Sequence, residues 1–201
     1  YWHENRRVVK FSPWGRHNFY PGPITGDVKD IGFQSDGKVI LAGDFSKING
    51  INATKLARLN SDGSLDTSFS PVYINGHVQT VLILNDDRIL ISGNLGSSNL
   101  GKLILLSSNG ELLENDFNSN LVDINYAANE MILLKDGDIL IAYSSAIIKL
   151  NSDGTRDETF SGIGGNVDYI YTMAVSNNYL YCYPGYGKIR KYNLDTGNRI
   201  T

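Results

Sequence analysis

The sequence is poor in the residues that commit a chain to chemistry. It holds one cysteine, Cys182, three histidines and two methionines in 201 residues. A single cysteine excludes an intramolecular disulfide, and its setting in YLYCYP reads as a small buried apolar residue rather than a reactive thiol. His3, His17 and His77 have no metal-ligand spacing and no cysteine partners, so they read as loop residues and not as a zinc site. No glycine-rich phosphate loop opens a helix, and no serine sits in a nucleophile elbow. Long apolar runs are missing too. MILL and AII fall far below the roughly 18 residues of a membrane helix, which predicts a soluble chain without membrane insertion. Charge is nearly balanced, 18 Lys and Arg against 21 Asp and Glu, and the net −3 predicts no attraction to nucleic acid. The chain opens YWHENRRVVKF with neither an initiator Met nor an apolar leader, so the expectation is a part of a longer protein.

No stretch carries an amphipathic helical period. What the chain has instead is repetition. A first turn stands at Asp36-Gly37, Asp86-Asp87 and Asp136-Gly137, spaced by 50 and 50, with a degenerate fourth copy at Asn177-Asn178. A second turn is marked by Gly15, Gly63, Gly110, Gly154 and Gly197, at intervals of 43 to 48. Phe19, Phe69 and Phe160 each lie 17 residues before the next first turn, and Phe117 lies 19 before its own. Periods of this length mark solenoids and propellers.

Each first turn is followed by a short aliphatic run, KVILA, RILIS, DILIA and YLYCY, too continuous to be one-sided. These read as strands covered on both faces. Asp-Gly between such runs signals a hairpin with a tight primed turn. A unit is then strand a, Asp-Gly turn, strand b, variable loop, strand c, Asn-x-Asp-Gly turn and a short strand d ending near the Phe. The expected class is all-β, a β-propeller with four-stranded antiparallel blades and about four repeats of 43–50 residues. Its parts are a partial blade at 1–20 and blades at about 27–70, 77–118, 127–161 and 166–201, the last with strands a, b and c only. That makes 17 strands, an awkward number for a closed ring, and favours an arc of a larger propeller.

FQSDGKVILAGDFSKING and KLARLNSDGSLDTSFSP resemble the delta-60 repeat family, most fully over residues 27–71 and with falling fidelity in later units. The resemblance implies propeller blades, a setting in large surface, secreted or phage proteins, and no common catalytic residues.

Asn60, Asp62 and Asp66 recur as Asn151, Asp153 and Asp157, like oxygen ligands for calcium. An EF-hand loop with Gly63 at its sixth position would begin at Arg58 and end at Phe69, so the match fails. Asx side chains bonding their own backbone explain the same residues. A glycan-cleaving propeller would need two carboxylates flanking a cleft, whereas the acids here mostly occupy repeated turns.

Two departures from the repeat suggest a binding surface. The b-to-c loop is long in GDFSKINGINATK, with Phe45, Lys47, Asn49 and Asn52, and minimal in YSSA and PGYG. It shares one face with the d-to-a connection SPVYINGHV, which carries Tyr73, Asn75 and His77. The last unit holds a tyrosine cluster including Tyr179, Tyr181, Tyr183 and Tyr186. Neutral drift of loop length and packing against a neighbouring blade are the bland readings of these two features. The functional reading is a non-enzymatic interaction module, without metal or cofactor, in an extracellular, cell-surface or virion setting. Its partner is a protein, further copies or blades of the same protein, or a surface glycan. A carbohydrate-active enzyme and a calcium-stabilised adhesin are the alternatives.

Overall fold

A computed structural model describes residues 19–96, 102–113, 117, 126–163, 169–185 and 187–200, with the backbone of 11–12 and 15–16. The strands β1 (Phe11–Ser12) and β2 (Gly15–Arg16) form a small ribbon. Four antiparallel sheets follow. Sheet 1 contains β3 (Ile24–Phe33), β4 (Val39–Ile48), β5 (Ile51–Asn52) and β6 (Leu56–Leu59). Sheet 2 contains β7 (His77–Ile83), β8 (Ile89–Asn94) and β9 (Leu103–Leu106). Sheet 3 contains β10 (Glu130–Leu133), β11 (Ile139–Tyr143) and β12 (Ala146–Leu150). Sheet 4 contains β13 (Thr172–Ser176), β14 (Tyr179–Tyr183), β15 (Arg190–Asn193) and β16 (Arg199–Ile200).

Three expectations need correction. The Asp-Gly turns are not primed. Gln34 and Lys38 pair through N–H to C=O at 3.0 Å, Gly37 donates to the Gln34 carbonyl, and only Gly37 has a positive φ, 84°. This is a type I turn closed by one left-handed residue, the usual three-residue hairpin loop. Strand d is also reduced: in the first three units it is a single bridge, Leu59 to Leu65, Leu106 to Leu112 and Leu150 to Arg156. In sheet 4, by contrast, β16 supplies the fourth strand that the sequence did not show, paired with Lys191 and Tyr192. Its two-residue length leaves no hydrophobic period to read.

The central strands of sheets 1 to 3 are buried on both faces because side chains pack against each side, whereas β14 is buried on one face only, with Leu180 and Cys182 inward and Tyr179, Tyr181 and Tyr183 outward, against the two-sided reading of YLYCY. Ile40, Ala42 and Leu56 of sheet 1 meet Val78, Ile89, Ile91 and Ile104 of sheet 2. Leu90 and Leu105 of sheet 2 meet Ile139, Ile141 and Ile148 of sheet 3. Leu140, Ala142 and Ile147 of sheet 3 meet Met173, Leu180 and Cys182 of sheet 4. Phe69, Phe117 and Phe160 are wedges in these three layers, each worth several kcal/mol of burial by the order-of-magnitude rule of about 3–5 kcal/mol for Phe to Ala. Phe19 does the same on the other face of sheet 1, with Leu41, Phe45 and Leu59. No hydrophobic cluster among the described residues joins sheet 4 back to sheet 1.

Candidate functional site

Both turn families lie on one rim. There the Gln34 amide donates to the Asp87 and Ser108 carbonyls of the next unit, and Ser35 bonds the Asp87 carboxylate. The opposite rim carries the variable loops. In unit 1 the Asn49-Gly50 turn, with φ of 49° and 80°, folds β4 onto β5 as a long hairpin. Against it runs the connection from Phe69 to Tyr73. Between them lies a groove of about 390 Å³, lined by Ile51, Asn52, Leu56, Leu65, Val72 and Tyr73 among others. Tyr73 is 78% exposed and Ile51 48%, an unusual position for two large apolar side chains beside a concave surface.

The predicted residues divide. Asn52 and Tyr73 line the groove, and Lys47 is paired with Asn52 across the hairpin. Asn49 is exposed but serves as a turn residue, its N–H donating to the Pro23 carbonyl at 2.8 Å. Asn75 is exposed outside the groove. His77 is not a loop residue but the first residue of β7, opposite Asn94. Phe45 is no surface residue at all. It is 1% exposed in the core with Phe19, because β4 continues to Ile48 and Phe45 falls on the same face as Val39 and Leu41. Tyr186 lies outside the described residues. Tyr179, Tyr181 and Tyr183 share the outer face of sheet 4, away from Leu180 and Cys182, with the Lys191 ammonium 3.6 Å from the Tyr179 ring centre. None of these tyrosines lines the groove, so the loops and the tyrosine face are two surfaces, not one.

The Asn and Asp oxygens of the second turns are used locally. Asp62 accepts from the Ser64 N–H and hydroxyl, and Asp153 from those of Thr155; these bonds hold both carboxyls below their usual range. Asp66 and Asp157 have a different role. Each accepts from the N–H and hydroxyl two residues on, and each meets a cation eight residues earlier. Arg58 Nε lies 2.8 Å from Asp66, while its other nitrogens donate to the Ser108 carbonyl and Asn109 of the next unit. Lys149 sits between Asp138 at 2.9 Å and Asp157 at 3.1 Å. Asp157 is lowered to about 2, by the Thr159 hydroxyl first and then, against its own burial, by Lys149. The basic residue eight positions before each Asp was visible in KLARLNSDGSLD and AIIKLNSDGTRD. Among the described residues no group of three or more His, Cys, Asp or Glu converges as a metal set.

The inner strands of all four sheets, β3, β7, β10 and β13, surround a second, polar cavity of about 480 Å³ with Lys29, Asp30, Gln79, Glu130 and Thr172 in its wall. Its two carboxylates are tied down. Asp30 accepts from the Thr80 hydroxyl at 2.6 Å and the Val81 N–H at 2.9 Å, and Glu130 accepts from the Met173 N–H at 2.6 Å. Each thus fastens its own inner strand to the next.

Four repeated antiparallel sheets, packed face to face with their first strands around one polar cavity, have known counterparts. The chain resembles the WD40 beta propeller domain of Doa1, with 14% identity and a TM-score of 0.63, over 91% of this chain and 56% of that one. The fold is a β-propeller. BamB from Moraxella catarrhalis aligns at 18% identity and TM-score 0.57, covering 90% of this chain and 49% of that one. The extracellular domain of a protein described as a one-component system from B. thetaiotaomicron aligns at 11% and 0.58, covering 86% and 23%. The propeller described here therefore spans about a quarter to just over half of these solved chains. A model of the domain of unknown function DUF5122, a beta-propeller, matches residues 34–69 and 135–160, the first and third blades. A comparison with curated proteins finds no relative.

Proposed function

We propose that this propeller is a non-enzymatic interaction module that engages a protein partner through the groove of its first blade. One observation carries the reading: the longest b-to-c loop and the d-to-a connection, the two segments that depart most from the repeat, meet at a concave site with Tyr73 and Ile51 exposed. Exposed aromatic and aliphatic side chains beside a rigid scaffold are what interface cores use. The inner carboxylates, Asp30 and Glu130, accept backbone N–H bonds from the adjacent strand, which supports a structural use over acid–base chemistry. A surface or virion setting belongs to the same reading; it rests on the delta-60 resemblance and on the likeness to an extracellular domain.

The test is to pan a displayed peptide library and a glycan array against the wild-type propeller and a Tyr73→Ala/Ile51→Asp variant. Peptides that bind wild type and are lost from the folded variant are expected. Binders that survive the loss of both side chains would move the site elsewhere. Reproducible cleavage of a glycan, abolished by Asp30→Asn or Glu130→Gln, would establish the carbohydrate-active alternative.

A further inference from the structure

The third blade closes an edge that the first leaves open. Leu56 of β6 and Ile147 of β12 hold the same place in their blades, three residues before the bridged Leu59 and Leu150. In blade 3 the chain returns after Phe160 and lays Ile163 along that edge: Ile147 N–H donates to the Ile163 carbonyl at 2.8 Å, and Ile163 N–H to the Ile147 carbonyl at 3.0 Å. The Ile163 side chain is 4% exposed. In blade 1 the corresponding segment leaves. Val72 N–H donates instead to the Gly110 carbonyl of the next blade at 2.9 Å, and Leu56 N–H falls back on the Thr54 carbonyl at 2.7 Å.

The cause is one residue. Blade 3 reads Phe160-Ser161-Gly162-Ile163 and blade 1 reads Phe69-Ser70-Pro71-Val72. Gly162 takes a φ of 69°, which turns the chain back onto its own sheet. Pro71 is locked near −65° and cannot make that turn. Leu56 C=O, which points to the outer side of β6, is consequently left without a hydrogen-bond partner among the described residues. The groove of about 390 Å³ runs along this edge, past Leu56, Ala57, Arg58, Leu65 and Thr67.

We propose that this open edge is a peptide-binding site that takes an extended, uncharged segment with a β-branched aliphatic residue at the place Ile163 holds in blade 3. The peptide adds to blade 1 as its missing outer strand. Its N–H meets the Leu56 carbonyl, its carbonyl replaces that of Thr54 on Leu56 N–H, and alternate side chains enter the groove beside Val72 and Tyr73. Strand addition uses main-chain bonds for affinity and alternate pockets for selectivity. The site has no net call for charge, because Arg58 and Asp66 neutralise each other at 2.8 Å. The occupant is specified by the chain itself, which fills the equivalent edge in blade 3. This proposal rests on the groove being the interaction site and adds the mode of recognition.

The probe is acetyl-Ser-Thr-Ile-Thr-Val-amide, titrated to millimolar concentration into the ¹⁵N-labelled propeller. Expected are amide shifts at 51–58 and 65–73 and slowed hydrogen exchange at Leu56. N-methylation of the peptide Ile should weaken binding at least about tenfold, a loss of one main-chain bond worth roughly 1.4 kcal/mol per decade. Pro71→Gly, which frees the chain to close its own edge, should weaken binding while the protein stays folded. Shifts at Tyr73 and Ile51 without protection of Leu56, or affinity indifferent to N-methylation, overturn strand addition and leave the groove reading intact. No shift by this peptide, when panned peptides do bind the groove, overturns strand addition alone; absence of any groove binder removes both.

Discussion

A Cβ placed on Gly110 would lie 2.8 Å from Cζ of Phe69, one blade back. The two residues were separate markers of the repeat, and they prove to be one joint. Gly154 stands in the same relation to Phe117 and Gly197 to Phe160, with approaches of 3.0 and 3.2 Å, and Gly63 approaches Phe19 to 3.2 Å. The Phe of each unit is thus a wedge seated on the second turn of the next. The turn must be glycine twice over, since Gly110 has φ of 88° as well as no room.

Gly110→Ala should therefore destabilise the propeller by about 2 to 5 kcal/mol, combining left-handed strain with overpacking against the ring. Gly50→Ala is the control for strain alone, as it has φ of 80° and nothing within reach of a Cβ. Guanidinium unfolding of both variants checks this. Equal losses would show that the Phe69 contact contributes nothing.

The Arg58–Asp66 pair has a built-in comparison. Blade 2 places Leu105 and Leu113 at the corresponding positions, and both belong to its apolar core. Asp66→Leu alone strands a buried guanidinium and should cost about 3–5 kcal/mol, whereas Arg58→Leu/Asp66→Leu should recover much of that loss. Recovery will be incomplete because Asp66 also accepts from Ser68 and Arg58 also donates to Ser108 and Asn109. A double-mutant cycle in urea measures the coupling, and strict additivity would contradict it. Blade 4 solves the same problem in another way. Ile200 stands opposite Lys191, and the ammonium turns onto Tyr179.

What could be read from the sequence was whatever repeats. The turns and the Phe spacing recur four times and the two-sided strands three times, and so rise above local ambiguity; they fixed the class and the blade period. The single events were hidden. Phe45 looks like a loop residue because β4 runs on past its aliphatic stretch to Ile48, where polar residues alternate with it, and β16 is too short to have a period. The edge left open by Pro71 was written in FSPV against FSGI, but only the hydrogen bonds of Ile163 show what that difference does. Asn52 and Tyr73 could be chosen as variable-loop residues, yet their meeting in one groove depends on how the β4–β5 hairpin lies against the connection that Val72 N–H ties to the Gly110 carbonyl.

Asp30 joins blades 1 and 2 at the inner rim through Thr80 and Val81. Asp30→Asn keeps an acceptor of the same shape and should cost about 1–2 kcal/mol, while Asp30→Leu leaves the Val81 N–H unmet and should cost about 2–4 kcal/mol. Hydrogen exchange localises the effect: the inner strands β3 and β7 should lose protection before β13 does. Uniform loss across all four blades would mean that Asp30 acts on global stability and not on this joint.

Acid sensitivity should be traceable to Asp157. Its ordinary value is 3.8 and its folded value about 2, depressed by the Thr159 hydroxyl and by Lys149. A depressed carboxyl contributes stability that is complete above its unfolded pKa and is lost as pH falls through the folded one. The window is thus from about pH 4 down to about pH 2. Asp66, lowered in the same direction by Ser68 and Arg58 despite its burial, adds to the same limb. Lys149 works at the other end: Asp138 and Asp157 outweigh its burial and raise it above 10.5, so its contribution is present below that value and fades as pH rises through the raised one. Asp157→Asn removes the titrating group while keeping an oxygen for Thr159. Its urea midpoint should start below that of wild type at pH 6 and fall less steeply between pH 4 and 2, so that the two curves converge. Parallel curves would assign the acid limb to other carboxylates.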